Sequence, residues 1–233
     1  MMMRRASERI VVLLILAVAV STSARADVKL PSVLNSHMVL QRDMPVPVWG
    51  WAEAGENVTV TFAGQTKTAK ADDAGNWKVT LDKLEASAEP RALTVKGKNE
   101  ITLEDILVGE VWIGSGQSNM ERWVSASKDA GKEIAEAKHP NIRLFLVPHV
   151  VSPEPQKDVN AKWVACSPET IPKFSAVTYF FGREIHQEVK VPVGLIATSR
   201  TMTRIEPWMP EAPDPVKPPW DPKSLQRCCG PSG

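Results

Sequence analysis

The sequence predicts an α/β protein in two parts: an N-terminal β-sandwich, followed by a partial doubly wound sheet. Three observations carry this. Between Val28 and Ile106, short segments alternate polar with apolar residues and are separated by turn clusters. From Leu107 onward the strand-like segments become mostly apolar runs, as expected of parallel strands covered on both faces. Between those runs the apolar spacing changes to that of helices, which gives the strand–helix alternation of a doubly wound sheet.

The first element is not part of the fold. Arg4, Arg5 and Arg9 precede an unbroken apolar run from Ile10 to Val20, and Ala24-Arg25-Ala26 supplies small residues at the −3 and −1 positions of a cleavage site. The run is shorter than the roughly 20 residues that span a bilayer. Residues 1–26 therefore read as a cleaved signal peptide, which places the mature chain in the periplasm or outside the cell and off the membrane. Residues 27–106 form the sandwich domain, and residues 107–233 the partial α/β domain with a Pro-rich tail.

In the sandwich, Asn57–Phe62, Trp77–Leu81 and Leu93–Lys96 alternate strictly. Pro45–Trp51 does so too, but its two prolines confine it to a sheet edge. Glu53–Glu56, Ala63–Gln65 and Asp72–Asn76 are the turns. Trp49, Trp51 and Trp77 are expected as core or rim packing rather than as a sugar platform. Asn57-Val58-Thr59 fits a glycosylation sequon, but reads as ordinary strand. In the second part, Leu107–Gly114, Asn141–Val147 and Val191–Ala197 are strands. Ser125–Ala137 and Ser175–Val189 are helices, the second with Val177, Phe180, Phe181, Ile185 and Val189 as one core-facing stripe. Pro207–Pro222 has too many prolines for regular structure.

Composition excludes several functions. Lys+Arg 28 against Asp+Glu 27 leaves no excess of positive charge for nucleic acid, and the signal removes four arginines and one glutamate. Three cysteines make no disulfide framework: Cys166 follows an apolar stretch and reads as buried, while Cys228 and Cys229 are adjacent near the end. No histidine lies near a cysteine or another histidine, so no metal site is expected.

The chemistry is expected where an apolar strand ends, since sites in such sheets lie at strand carboxyl ends. There stands Gly114-Ser115-Gly116-Gln117-Ser118-Asn119-Met120-Glu121. Gly116 permits a sharp turn and Ser118 would then start a helix, where free N–H groups can stabilise an oxyanion. The string departs from G-x-S-x-G, with Met120 in its last position, and it is neither a phosphate loop nor a dinucleotide fingerprint. A capped turn without chemistry is the alternative.

Beyond the string itself, the chain from about Val33 resembles the N-terminal part of the sialate O-acetylesterase family, in the SGNH hydrolase superfamily. Ser36–Arg42, Pro45–Trp51 and Gly75–Trp77 look like its β region. Val108–Trp112 with Gly116–Glu121 is similar to its first catalytic block, and Phe174–Gly182 and Pro192–Ile196 match further along. The resemblance implies that Ser118 is the nucleophile of a secreted, cofactor-free serine esterase acting on an acetylated sugar, with Gly116, Gln117 and Asn119 forming the elbow and the Ser118 N–H an oxyanion donor. An acetylxylan esterase and a noncatalytic sugar-binding protein are the alternatives.

Two departures follow. The family's Ser-Trp-Gly-Gly-Thr is here Ser199-Arg200-Thr201-Met202-Thr203, without the glycine that helps build the oxyanion hole, although Arg204–Trp208 still looks familial. The Asp-x-x-His block and the block with the oxyanion Asn are not found. His37, His149 and His186 have Leu34, Leu146 and Arg183 three residues before them. His139 has Glu136 and reads as a solvated helix end; His186, between Glu184 and Glu188, reads as a solvated face. The expectation is a truncated form that holds the nucleophile without its base, with an unpaired sheet edge.

Overall fold

The structure, a computed structural model, describes residues 27–150, 152 and 154–203. The expected signal peptide, the Pro-rich segment, Arg204–Trp208, Cys228 and Cys229 lie outside the described residues. The fold is mixed α/β and dominated by sheet. In chain order, β1 (Val39–Gln41), β2 (Val46–Trp51), β3 (Asn57–Phe62), β4 (Gln65–Lys70), β5 (Asn76–Leu81) and β6 (Ser87–Lys96) lead into β7 (Glu100–Gly116). Then come α1 (Ser118–Glu121), a 3-10 turn (Val124–Ala126), α2 (Ala130–Glu136), β8 (His139–Leu146), β9 (Trp163–Cys166), α3 (Ala176–Val189) and β10 (Val193–Ser199).

One eight-stranded sheet has the order β4-β3-β6-β7-β10-β8-β9, with β1 also pairing β7; β2 and β5 form a separate ribbon. The ribbon and the β3–β6 region share a core of Val46, Val48, Trp77, Val79, Val58, Val60, Phe62 and Leu93. The alternating sequences of β3 and β5 bury every second residue, as period 2 requires. Trp77 is core, while Trp49 is exposed. β4 is an element the sequence does not signal. The turn is only Ala63-Gly64, and Gln65 already pairs with Phe62. Its polar residues face solvent, held by the Thr59–Thr68 and Thr61–Thr66 hydroxyl pairs.

β7 runs unbroken across residue 106. It is antiparallel to β6 in its first half and parallel to β10 in its second. β10 is also parallel to β8, so it lies between β7 and β8 although it comes last in the chain. Where the strand changes partner, Asp105 takes a left-handed φ of 56°. Its carboxylate receives two bonds from Arg143 at 2.5 and 2.9 Å and shares a third with His37 Nδ1 at 2.7 Å. Arg143 chiefly, and His37, hold the Asp105 carboxyl below its usual range, against the opposing effect of burial. This cluster joins the turn before β1 to β7 and β8.

Several expectations need correction. The helix over Ser125–Ala137 is broken: Asp129 at φ 55° separates the 3-10 turn from α2. The helix over Ser175–Val189 stands, capped by Ser175 Oγ accepting from Thr178 N–H at 3.2 Å, but of its expected stripe only Phe180 and Ile185 pack against the core. Ala176, Thr178, Tyr179 and Gly182 are buried instead, while Val177, Phe181 and Val189 are exposed. Tyr179 fills the core, and the small residues beside it fit because the helix lies very close to the strands. A Cβ on Gly182 would sit 2.5 Å from Leu195 Cδ1, and one on Gly114 2.0 Å from Thr178 Oγ1. Leu107 and Val108 of β7 are covered on both sides, but Trp112 and Ile113 are exposed. α2 and α3 pack on the same face, through Arg183–Glu133 and the second core of Ile142, Leu144, Tyr179 and Leu195. Among the described residues no second helix layer covers the opposite face, where Val39 and Trp163 approach Gly194.

Candidate active site

The carboxyl ends of β7, β8 and β10 point the same way, because the three strands are parallel. Gly116 closes β7 at φ 146°, in the half of conformational space that favours glycine. Gln117 is then the N-cap of α1, and its side-chain oxygen accepts the Ser118 N–H at 3.0 Å. Ser118 Oγ also bonds to Gln117 Oε1. α1 is four residues long and buries none of them, so its position comes from its neighbours. Ser175 Oγ donates to Met120 O at 2.6 Å, and Ala176 N–H donates to Arg122 O at 2.7 Å. The start of α3 thus fixes the elbow.

Ser118 is exposed on an open cleft of about 350 Å³, lined also by Asn119, Glu121, Arg122, Trp123 and Thr201. The loop after β10 reaches it: Arg200 N–H donates to Gly116 O at 2.9 Å, and Thr201 N–H donates to Glu121 Oε2. The loop after β8 brings His149, whose Nε2 is 3.6 Å from Glu121 Oε1. Glu121 therefore ties all three loops together. Met202, at φ 59°, has a left-handed backbone in the position where the resemblance places a glycine.

Gly116, Gln117, Ser118 and Asn119 lie at the turn from β7 into α1. The Ser118 amide, expected as an oxyanion donor, holds Gln117 Oε1, and the Thr201 amide holds Glu121 Oε2. The other three histidines lie elsewhere. His37 bonds to Asp105, and His186 Nδ1 makes a 2.7 Å hydrogen bond with Val191 O, so it is not a merely solvated face residue. His139 begins β8 rather than ending a helix. It lies half-buried near the Tyr179 ring, and burial, then His186 and Arg183, push its pKa down. Sequence reasoning missed Glu121, Thr201 and His149 as a group, because they come from three separate loops. Cys166 is buried as expected, its thiol pushed up to about 12 by desolvation. Among the described residues no cluster of His, Cys, Asp and Glu could hold a metal.

No family profile matches the chain. It is 33% identical over 218 residues to the sialate O-acetylesterase of Mus musculus, spanning 85% of this chain and 40% of that protein. With the Homo sapiens sialate O-acetylesterase it shares 31% identity over 80% of this chain and 39% of the relative. Among solved structures, a carbohydrate acetylesterase from Xanthomonas citri superposes with a TM-score of 0.75 at 38% identity, over 78% of this chain and 42% of that one. The chain thus spans about two-fifths of the length of the curated relatives it matches.

Proposed function

We propose, for a chain related to the sialate O-acetylesterase family over part of that family's length, that Ser118 is the nucleophile of an exported carbohydrate O-acetylesterase. The observation that carries this is the place of Ser118. It is an exposed hydroxyl at the carboxyl end of a parallel strand, on a cleft where two backbone N–H groups already hold side-chain oxygens. In this reading Ser118 Oγ attacks the acetyl carbonyl carbon and its proton passes to a base. The negative oxygen that forms takes the place of Gln117 Oε1 or Glu121 Oε2 on the Ser118 and Thr201 amides. Collapse expels the sugar hydroxyl, which takes up the proton, and water then releases acetate from Ser118. The architecture that goes with this function is a β-sandwich followed by part of an SGNH-type α/β/α domain. No histidine of this sequence has an aspartate three residues before it, so this reading assigns no residue as the base.

The test is fluorophosphonate labelling of the mature chain beside Ser118→Ala. Labelling that depends on Ser118 means an activated hydroxyl. Absence of labelling in a folded sample refutes activity of the chain alone. A second reading, a noncatalytic protein that binds acetylated sugar, is favoured by one observation: Ser118 Oγ is engaged with Gln117 rather than with a histidine. Sugar binding that survives Ser118→Ala, with hydrolysis by neither form, would support that reading. Comparing acetylated sialic acid with acetylated xylan separates the two esterase substrates.

A further inference from the structure

We infer that Arg122 and Trp123 form a subsite beside Ser118 that selects acetylated sugars carrying a carboxylate. The guanidinium pairs with that carboxylate, and the indole takes the sugar ring. The inference rests on the proposed reading of this cleft as the place of an acetylated sugar, and it adds the charge of that sugar. Arg122 follows Ser118 by one turn as the C-cap of α1, and its N–H donates to Ser118 O at 3.1 Å. Arg122 and Trp123 line the same open cleft of about 350 Å³ as Ser118, a size suited to a small ligand.

The charges in the cleft are few. Among the described residues that line it, Arg122 is the one cationic side chain and Glu121 the one anionic side chain. Glu121 is engaged by the Thr201 amide and lies 3.6 Å from His149 Nε2. Arg122 is exposed, and no carboxylate among the described residues pairs with it. Its Nη2 donates to Ala126 O at 2.5 Å, which holds the guanidinium along the cleft wall that Ala126 also lines. The remaining N–H groups of the guanidinium are left for a ligand. They can give a carboxylate two parallel charged bonds, which a neutral sugar hydroxyl cannot match.

Trp123 supplies a fixed platform next to that charge. Its backbone bridges Ser175, and both neighbours are tied to the same segment: the Ala176 N–H donates to Arg122 O at 2.7 Å, and the Val124 N–H donates to Phe174 O at 3.1 Å. Val124 is fully buried in the second core, while the Trp123 side chain beside it is 46% exposed. An aromatic face held by its backbone stacks on the apolar face of a sugar ring at little cost in conformational entropy. Of the exposed tryptophans, Trp123 lines this cleft, whereas Trp49 and Trp112 stand on β2 and β7.

The experiment is calorimetric titration of the full chain carrying Ser118→Ala, which removes hydrolysis. The two probes are an O-acetylated sialic acid and its carboxamide, which keeps the sugar and loses the charge. The acid should bind at least about tenfold more tightly than the amide, as a charged hydrogen-bonded pair provides. Adding Arg122→Gln should erase that difference, and Arg122→Lys, which keeps the charge, should retain part of it. Trp123→Ala should weaken acid and amide alike, by about tenfold. Without any change at Arg122, the advantage of the acid should also shrink as salt is raised. Equal binding of acid and amide, a preference that survives Arg122→Gln or is unmoved by salt, or no binding of either probe by the folded chain would overturn the inference. Its failure is separable from that of the esterase reading. Labelling that depends on Ser118 with equal binding of the two probes removes the subsite and keeps the esterase; charge-selective binding without labelling does the reverse.

Discussion

Replacing Arg143 by methionine keeps much of the side chain's length and apolar stem while removing every hydrogen bond the guanidinium makes. Those bonds run to Asp105 Oδ2 and Oδ1 at 2.5 and 2.9 Å, to Pro140 O at 2.8 Å and to His37 O at 3.3 Å, from a residue only 5% exposed. Loss of one partner of a buried ion pair costs about 3–5 kcal/mol. Asp105 keeps its bond to His37 and some access to water, so the low end, about 3 kcal/mol, applies. For a domain of this size that corresponds to a fall in Tm of about 6–12 °C.

The pH dependence gives a second, independent signature. The folded-state pKa of Asp105 is depressed, so its stabilisation is present above the ordinary carboxylate pKa and is lost as pH falls through the lower folded value. Arg143 is the largest cause of that depression, so the wild-type and Arg143→Met unfolding curves should converge in acid and diverge toward neutrality. Scanning calorimetry across pH 3–7 tests both parts. A Tm change below about 2 °C at neutral pH, or a difference independent of pH, would refute the account of this joint.

Three further outcomes are expected. Gly109→Ala would place a Cβ 1.9 Å from the backbone oxygen of Pro192. It should cost about 3 kcal/mol in urea denaturation by forcing β7 and β10 apart. Glu121→Ala removes an acceptor from the Thr201 amide; such bonds contribute about 1.5–3 kcal/mol, so exchange of that amide should quicken by at least about tenfold. In a background with Cys228 and Cys229 replaced by serine, native Cys166 should react with a thiol reagent at pH 8 at least about a thousandfold more slowly than in urea, since its pKa of about 12 leaves almost no thiolate.

The sequence made some of this legible because period and burial agree there. β3 and β5 alternate and bury one face, and Ser118 follows an apolar strand whose carboxyl end is open. β4 was hidden because Gln65–Lys70 offers only Ala69 as an apolar residue, and hydroxyl pairs with β3 replace a buried face. The core face of α3 is legible only in part: Phe180 and Ile185 pack against the core, while Val177, Phe181 and Val189 are exposed. Close approach to the strands instead selects Ala176, Thr178 and Gly182, and leaves Phe181 outward. The meeting of Glu121, Thr201 and His149 had no local signal at all. Thr201 lies 80 residues from Glu121, and only the parallel strand order brings them together.

That order also governs when the site comes into being. β7 and β8 are separated in space by β10, which leaves the ribosome after both. The N-terminal β region can collapse on its own core early in synthesis, through the near-neighbour pairings of β3 with β4 and of β6 with β7. The turn bearing Ser118, by contrast, has its ties to the start of α3 within reach before β10 is made, but its last backbone tie, from Arg200 to Gly116, forms only after β10 inserts. Such non-local closure is slow. A nascent chain that has released β8 but not β10 thus has its N-terminal strand pairings within reach and lacks the Arg200–Gly116 tie, and that interval is when a chaperone would find exposed apolar strand to hold.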